Sequence, residues 1–186
     1  MKLVEWLAKE VTDDPRALRW FAEPGTEERI ARAYRELLAG YQIDPGSILK
    51  TTRMLEPGER PGSVEVNEIA FYSICAHHFL PFFGTAHVAY LPKDRVVGLS
   101  KLARVVEHYA RRPQIQERLT EQVIELLESR LRPAGAMVVV QARHMCMEMR
   151  GVGQPGATTR TSAWRGAFAD ARTRQEFLDL LPTSAP

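Results

Sequence analysis

Both cysteines of this 186-residue chain lie within three residues of a histidine. Cys75-Ala-His-His78 sets a thiol and an imidazole at C-x-x-H spacing, and His144-Met-Cys146 supplies another of each. Thiolate and imidazole are donors that zinc takes readily, and three protein ligands with one open position mark a catalytic rather than a structural zinc site. The candidate ligands are Cys75, His77, His78, His144 and Cys146. Residues 144 and 146 of a strand would point to the same face and so reach one centre. For a single Cys or His, a buried hydrophobe or a satisfied core group is the commoner reading. Here both cysteines and three of the five histidines are drawn in, and such a cluster of soft and borderline donors suits zinc. A water in the open position would have its pKa lowered to about 7, giving a nucleophile at neutral pH. The two histidines left over would shuttle protons.

A second set of residues suits an anion. Lys101, Arg104, His108 and Arg111 follow i, i+3, i+7, i+10, one stripe of a helix, with Ser100 at its start. Arg150, Arg160 and Arg165 add cations on predicted strands. A solvated basic face is the usual meaning of such a stripe. Beside a metal site it also suits a polyphosphate, which needs several convergent cations and the bidentate geometry of arginine. Gln116 and Glu117 open the next helix, where a carboxylate is favoured by the helix dipole. One carboxylate can also accept from two adjacent donors, such as the N1–H and 2-amino groups of guanine.

The elements that must hold these residues are legible in part. Residues 1–40 read as helical, with Ile30, Ala33, Tyr34 and Leu37 at helical spacing and Gly40 as the expected C-cap. Residues 41–62 are rich in Pro and Gly, yet the stretch 56–62 is too short to separate independent domains. We therefore expect an N-terminal helical region and loop, residues 1–62, and a catalytic unit, residues 63–186, in one structural whole. From Ser63 the apolar period becomes two, predicting a strand through Val64, Val66, Ile69 and Phe71 and another over Thr85–Leu91. Helices follow over 100–112 and 114–132, then strands at Met137–Ala142 and Thr158–Phe168 and a helix at Thr173–Leu181. Two strands, two helices and two strands give an α+β fold, an antiparallel four-stranded sheet with two helices packed on one face.

Composition excludes other classes. Apolar residues make up 45% and charged residues 26%, enough apolar surface to fold and too much for disorder. Net charge is +2, from 25 basic and 23 acidic residues, which argues against nucleic acid as a partner. The first twenty residues carry charge throughout, which argues against reading them as a secretory signal. Residues 69–92 carry no Asp, Glu, Lys or Arg, but His77, His78, His87, Pro81, Gly84 and Pro92 are costly in hydrocarbon. Two buried strands fit that run, with no membrane contact and a cytoplasmic setting, where a Cys75–Cys146 disulfide is disfavoured.

Three long runs carry a family resemblance: CAHHFLPFFGTAHVAYLPKDRVVGLSKLARVVEHYARRPQIQERLTEQ, then HMCMEMRG, then TRTSAWRGAF. Over residues 63–181 the chain resembles the GTP cyclohydrolase I family, with a looser echo in ERIARAYRELLAGY upstream. The resemblance implies a T-fold subunit that assembles into rings, as a homo-oligomer of two pentamers with active sites between subunits. It implies zinc as cofactor and GTP as substrate: water attacks C8, formate leaves, and rearrangement and reclosure give 7,8-dihydroneopterin triphosphate for pterin synthesis. By position, Cys75, His78 and Cys146 match the zinc ligands, while His77 and His144 match the proton-handling histidines. Gln116 and Glu117 match the guanine-recognition segment, and Ser100, Lys101, Arg104 and Arg150 match the triphosphate-binding positions. The chain departs from the family at Ala76, where a Glu is usual, at Gly153, commonly basic, at the bulky Trp164, and in lacking the usual Glu-Gly-Leu and Thr-Pro signature near its start. A member altered at Ala76 that stops at the ring-opened formamide, or takes another purine nucleotide, is the nearest alternative. A non-catalytic zinc-stabilised assembly protein and a deazapurine nitrile reductase of the same fold are more distant ones.

Overall fold

Proline, glycine and charge cut the start of the chain into three short helices, α1 (Leu3–Val11), α2 (Pro15–Phe21) and α3 (Thr26–Leu37). The computed structural model describes residues 3–12, 14–21, 23–50 and 52–181. Pro15 opens α2 where no amide donor is needed, and the Asp14 carboxylate caps the same end, 2.8 Å from the Arg16 amide. Gly25, at φ 81°, turns the chain into α3, whose Glu27 and Glu28 complement the helix dipole. These helices form one compact unit, residues 1–38, and residues 39–186 form the other.

The second unit is built on a five-stranded sheet. Its strands are β2 (Val64–Cys75), β3 (Pro81–Leu91), β5 (Pro113–Gln114), β6 (Gly135–His144) and β7 (Thr158–Gly166), in the order β5-β2-β3-β6-β7. The four long strands are antiparallel as expected, and β5 adds two residues parallel to Ile74–Cys75 at the edge. A small ribbon of β1 (Thr52–Met54) and β4 (Arg95–Val97) lies apart from it. Helices α4 (Leu99–Ala110) and α5 (Gln116–Leu131) cover one face. Leu102, Val105 and Val106 of α4 and Leu119, Val123, Ile124 and Leu127 of α5 bury Ala86, Val88 and Tyr90 of β3 and Val138 and Val140 of β6. The opposite face is covered at one end by α7 (Ala171–Leu180), where Phe168, Phe177 and Leu181 pack on Ala89, Met137 and Val139. β6 is thus enclosed on both sides, which explains its unbroken apolar run where alternation would mark a half-exposed strand.

Two local expectations are corrected. Gly40 is not the C-cap of α3; Leu38 closes that helix, its amide 2.9 Å from the Tyr34 carbonyl. Gly40 sits instead in a 3-10 turn, Ala39–Tyr41, against the end of α4. Its amide reaches the Arg111 carbonyl at 2.8 Å, and a β-carbon there would lie 2.2 Å from the His108 carbonyl oxygen. His108 is not part of a solvated stripe either. It is buried, with Nε2 2.5 Å from Arg112 Nη2, and Arg112 also donates to the Gly40 carbonyl and stacks between the rings of Tyr41 and Tyr109. The neighbour that Arg112 needs is an acceptor, which keeps His108 neutral.

His87 is the second buried imidazole outside the cysteine cluster. β2 bulges between Val66 and Ile69 opposite it, Glu68 takes the left-handed conformation at φ 54°, and the Glu68 amide donates to His87 Nδ1 at 3.4 Å. Burial pushes His87 below its usual value, with Arg160 adding to the effect and Glu68 opposing it; burial and then Arg112 do the same to His108, against Asp44.

Two outcomes are expected from this packing. Gly40→Ala loses about 1–3 kcal/mol of stability by overpacking against a backbone that cannot give way, read as a lower urea midpoint at an unchanged slope. The unfolded chain protonates His87 and His108 near pH 6.5 while the folded chain resists it. Stability is therefore complete above pH 6.5 and is lost as the pH falls through the lowered values. Urea midpoints that stay level from pH 7.5 to 5 in the native chain, or that drop as steeply in His87→Gln and His108→Gln, would contradict this.

Candidate metal centre and active site

The end of β2 turns sharply into β3, and this turn creates the first half of the site. The Cys75 carbonyl accepts the Phe79 amide at 2.9 Å, the Cys75 amide donates to the Leu80 carbonyl at 2.8 Å, and Phe79 closes the turn at φ 56°. Residues 75–79 thus make one helical turn, in which positions i and i+3 lie on the same side. Cys75 Sγ and His78 Nδ1 are 3.7 Å apart as a result. The turn is anchored from the next edge, where the Ala76 amide donates to the Gln114 carbonyl at 2.9 Å. Gln114 is itself buried, its side-chain amide held by the Tyr109 carbonyl and by Gln122.

The second half comes from the end of β6. His144 closes the strand, opposite Phe82 of β3, and its ring stacks flat on that phenyl at 4.7 Å. Cys146 is not on the strand, as its alternation with His144 had suggested. It lies in α6 (Met145–Glu148), a four-residue helical turn closed by the Met149 amide on the Met145 carbonyl. Leaving the strand turns Cys146 away from the His144 direction and towards Cys75. One donor atom each of Cys75, His78 and Cys146 lies within 4.8 Å of the other two.

This donor set fits a zinc ion. Bonds of about 2.3 Å to sulfur and 2.0 Å to nitrogen at tetrahedral angles separate donors by roughly 3.5–3.8 Å. The Cys75–His78 pair stands at that spacing, and Cys146 offers its sulfur within 4.8 Å of both. Burial pushes the Cys146 thiol up, and the nearby Cys75 pushes it further, so two thiolates here require a cation between them. His77 stays outside the trio, its ring centroid 6.1 Å from that of His78.

Gln116 and Glu117 both reach this end of the sheet, in different ways. Gln116 is buried, and its Nε2 donates to the Val140 and Thr159 carbonyls at 3.0 Å with Thr161 Oγ1 at 3.1 Å. That leaves Gln116 Oε1 as an acceptor, 2.7 Å from His144 Nε2, so the imidazole carries its proton on Nε2 and presents Nδ1 as the free base. The Gln116 side chain is therefore committed to the protein and to His144. Burial pushes His144 below its ordinary value, and the charge of the exposed Glu117 nearby opposes that shift.

The cations divide into three groups. Arg150 follows α6 directly and is exposed, touching the Cys146 carbonyl at 3.3 Å. Arg165 is committed to Glu121 and Glu128 of α5, and Arg111 to Glu107. Lys101 and Arg104 line a cavity of about 470 Å³ with Ala39, Ile43, Ile48 and His108, into which none of the cysteine cluster projects. Ser100 and Lys101 open α4, whereas its far end leads through β5 to Cys75. Nine residues of helix, about 14 Å, separate Lys101 from that end. Within one chain Arg150 and Glu117 join the metal donors, while Ser100, Lys101 and Arg104 do not.

Two parts of the site had no signal in the sequence. Phe82, the shelf under His144, is one of many apolar strand residues until the β3–β6 register is known. The pair Arg143–Glu148, with Nε–Oε1 at 2.8 Å, reads in sequence as two unrelated charges flanking the His-x-Cys.

Comparison with known proteins identifies the family. The family model for GTP cyclohydrolase I matches residues 4–182. A GTP cyclohydrolase 1 of Mycobacteroides abscessus is 53% identical over 159 residues, 84% of this chain and 76% of that one. A GTP cyclohydrolase 1 of Bacteroides fragilis is 48% identical over 156 residues, 84% of this chain and 79% of its own. A solved structure of an archaeosine synthase QueF-Like in the apo form aligns with TM-score 0.46 and 19% identity, over 59% of this chain and 98% of that one. With a family match across almost its whole length and relatives near half identity, the chain belongs to the GTP cyclohydrolase I family.

Proposed function

We propose that this protein is a zinc-dependent GTP cyclohydrolase, hydrolysing GTP at C8 with release of formate and reclosure to 7,8-dihydroneopterin triphosphate. The observation that carries the reading is the trio Cys75, His78 and Cys146 with a base-oriented His144 beside it, in a chain of this family. Cys75, His78 and Cys146 would hold the metal, which when bound supplies the Lewis acidity that activates water near neutral pH. His144, fixed by Gln116 and by the face of Phe82, offers Nδ1 to receive and return a proton at the purine. His77, exposed beside the trio, is the second proton carrier. Glu117 accepts from the guanine edge, and the backbone of residues 116–117 rather than the Gln116 side chain adds to that contact. Residues 63–186 act as the catalytic unit, in the cytoplasm; among the described residues no helix is long and apolar enough to cross a membrane.

The placement of the cations supports a shared site. A triphosphate reaching from His144 meets Arg150 of its own chain, but Ser100, Lys101 and Arg104 stand at the other end of α4. We read these three as serving the nucleotide held by a neighbouring copy, in a ring of which two pentamers make the whole. The side chains of Lys101 and Arg104 have no ion pair or hydrogen bond among the described residues, as groups awaiting an external anion should.

Two experiments decide this. Mass spectrometry of products from metal-loaded protein and GTP should show formate and dihydroneopterin triphosphate, lost with a chelator. Accumulation of the ring-opened formamide, reversed by Ala76→Glu, would favour the altered member instead, and untouched GTP would overturn both. Co-expression of His144→Ala with a Lys101→Met/Arg104→Met chain should restore up to about a quarter of native activity, the share of random interfaces that pair two intact halves. A co-assembled mixture as dead as its parents would refute the shared site.

A further inference from the structure

Between His144 and Arg150 the chain carries a proposed proton carrier, a metal ligand and a phosphate cation, on a segment with little structure of its own. α6 is four residues long, and its last backbone bond runs from the Met149 amide to the Met145 carbonyl at 3.1 Å. A turn that short does not hold its shape alone. Beyond it, residues 151–157 pass through Gly151, Gly153 and Gly156, all at positive φ, before β7 begins.

One carboxylate holds this segment together. Glu148 has a side chain only 8% exposed, although it sits on a surface turn. It takes a two-pronged ion pair from Arg143, Nε to Oε1 at 2.8 Å and Nη2 to Oε2 at 2.5 Å. Arg143 is held in the ladder between Phe83 and Thr158, its guanidinium over the Phe83 ring. The same Oε2 accepts the Gly156 amide at 3.2 Å, and the Gln154 amide meets the Met147 carbonyl at 2.9 Å. A rigid strand is thus tied to the turn and the turn to the returning loop, with Cys146 in the middle. Glu148 is not one of the three donors that converge, so it acts on them through the backbone.

We infer that Glu148, through Arg143, is a positioning residue that presents Cys146 to the metal. The inference rests on the metal reading above and assigns no contact with substrate. Planar two-pronged pairing fixes both distance and orientation. Without it, the pair Cys75–His78 remains in its own turn while Cys146 is free to swing out.

Cobalt(II) titration of the full-length protein reads this directly, since thiolate-to-cobalt charge-transfer bands report how many cysteines bind. Glu148→Gln keeps the shape and removes the charge; Arg143→Met removes the other partner. Each should weaken cobalt binding about 10–100-fold, in line with the loss of a group that orients a ligand, and lower the charge-transfer intensity towards that of one thiolate. The double variant should be no weaker than either single one, because the two act as a unit. Glu148→Asp, with the charge restored, should recover part of the affinity. Cobalt affinity and band intensity in Glu148→Gln within about twofold of the native protein would overturn the inference, even if that variant unfolds more easily. A native protein that shows no thiolate bands at all would overturn the metal reading instead.

Discussion

The antiparallel ladder between β3 and β6 is the constraint on which the site depends. Its pairing runs without a break from Phe82–His144 to Leu91–Gly135. A slip of one residue would send every side chain of β6 to the other face. His144 would leave Phe82 and Gln116 for the face that α7 covers, and Val138 and Val140 would leave the core under α5. The register is held because β6 is buried on both sides, so no alternative pairing satisfies both cores at once. The neighbouring β2–β3 ladder, which ends at Ile74–Pro81, brings Cys75 at the end of β2 to the same rim as His144 at the end of β6.

Buried amides then convert this rim into chemistry. Gln114 and Gln116 flank the start of α5, and each uses its side chain inside the protein. Gln114 holds the turn of Cys75 and His78 through its backbone carbonyl, and Gln116 sets the tautomer of His144. Buried amides are costly if left unpaired, so both are strongly fixed once paired. The entry of α5 is therefore the meeting point of the two halves of the site. Arg112 plays the corresponding part at the end of α4, tying the 3-10 turn of Gly40 to His108 without any carboxylate.

The charge stripe shows how far local spacing can be read. Lys101, Arg104 and His108 lie along α4 as their intervals require, whereas Arg111 falls just past its end as the C-cap, and the four side chains meet different fates. All four line the same cavity, but Arg111 is paired with Glu107 and the imidazole is buried, which leaves the Lys101 and Arg104 side chains as its unpaired cations among the described residues. Helical periodicity says which residues share a face; it says nothing of what packs against that face. The Ala39–Ile48 segment covers part of the stripe, and its glycine and apolar residues gave no sign of doing so. Arg165 was absorbed in the same way, by Glu121 and Glu128 on a helix more than thirty residues upstream.

What the sequence determined alone was chemical identity and local shape: thiols and imidazoles in two short clusters, the period-two strands around them, and the two helices between. These follow from residue type and near-neighbour spacing, which the chain carries in linear form. The family resemblance singled out Cys75, His78 and Cys146; the tertiary structure brings their donor atoms together, sends Cys146 to them from a helical turn, and aims His144 through Gln116. It also decided that Lys101 and Arg104 stand apart from Cys75, and that Arg143 and Glu148 brace the turn. Each of these depends on strand register or on a contact between distant segments. Burial and pairing across the whole chain settle such contacts, and no local spacing encodes them.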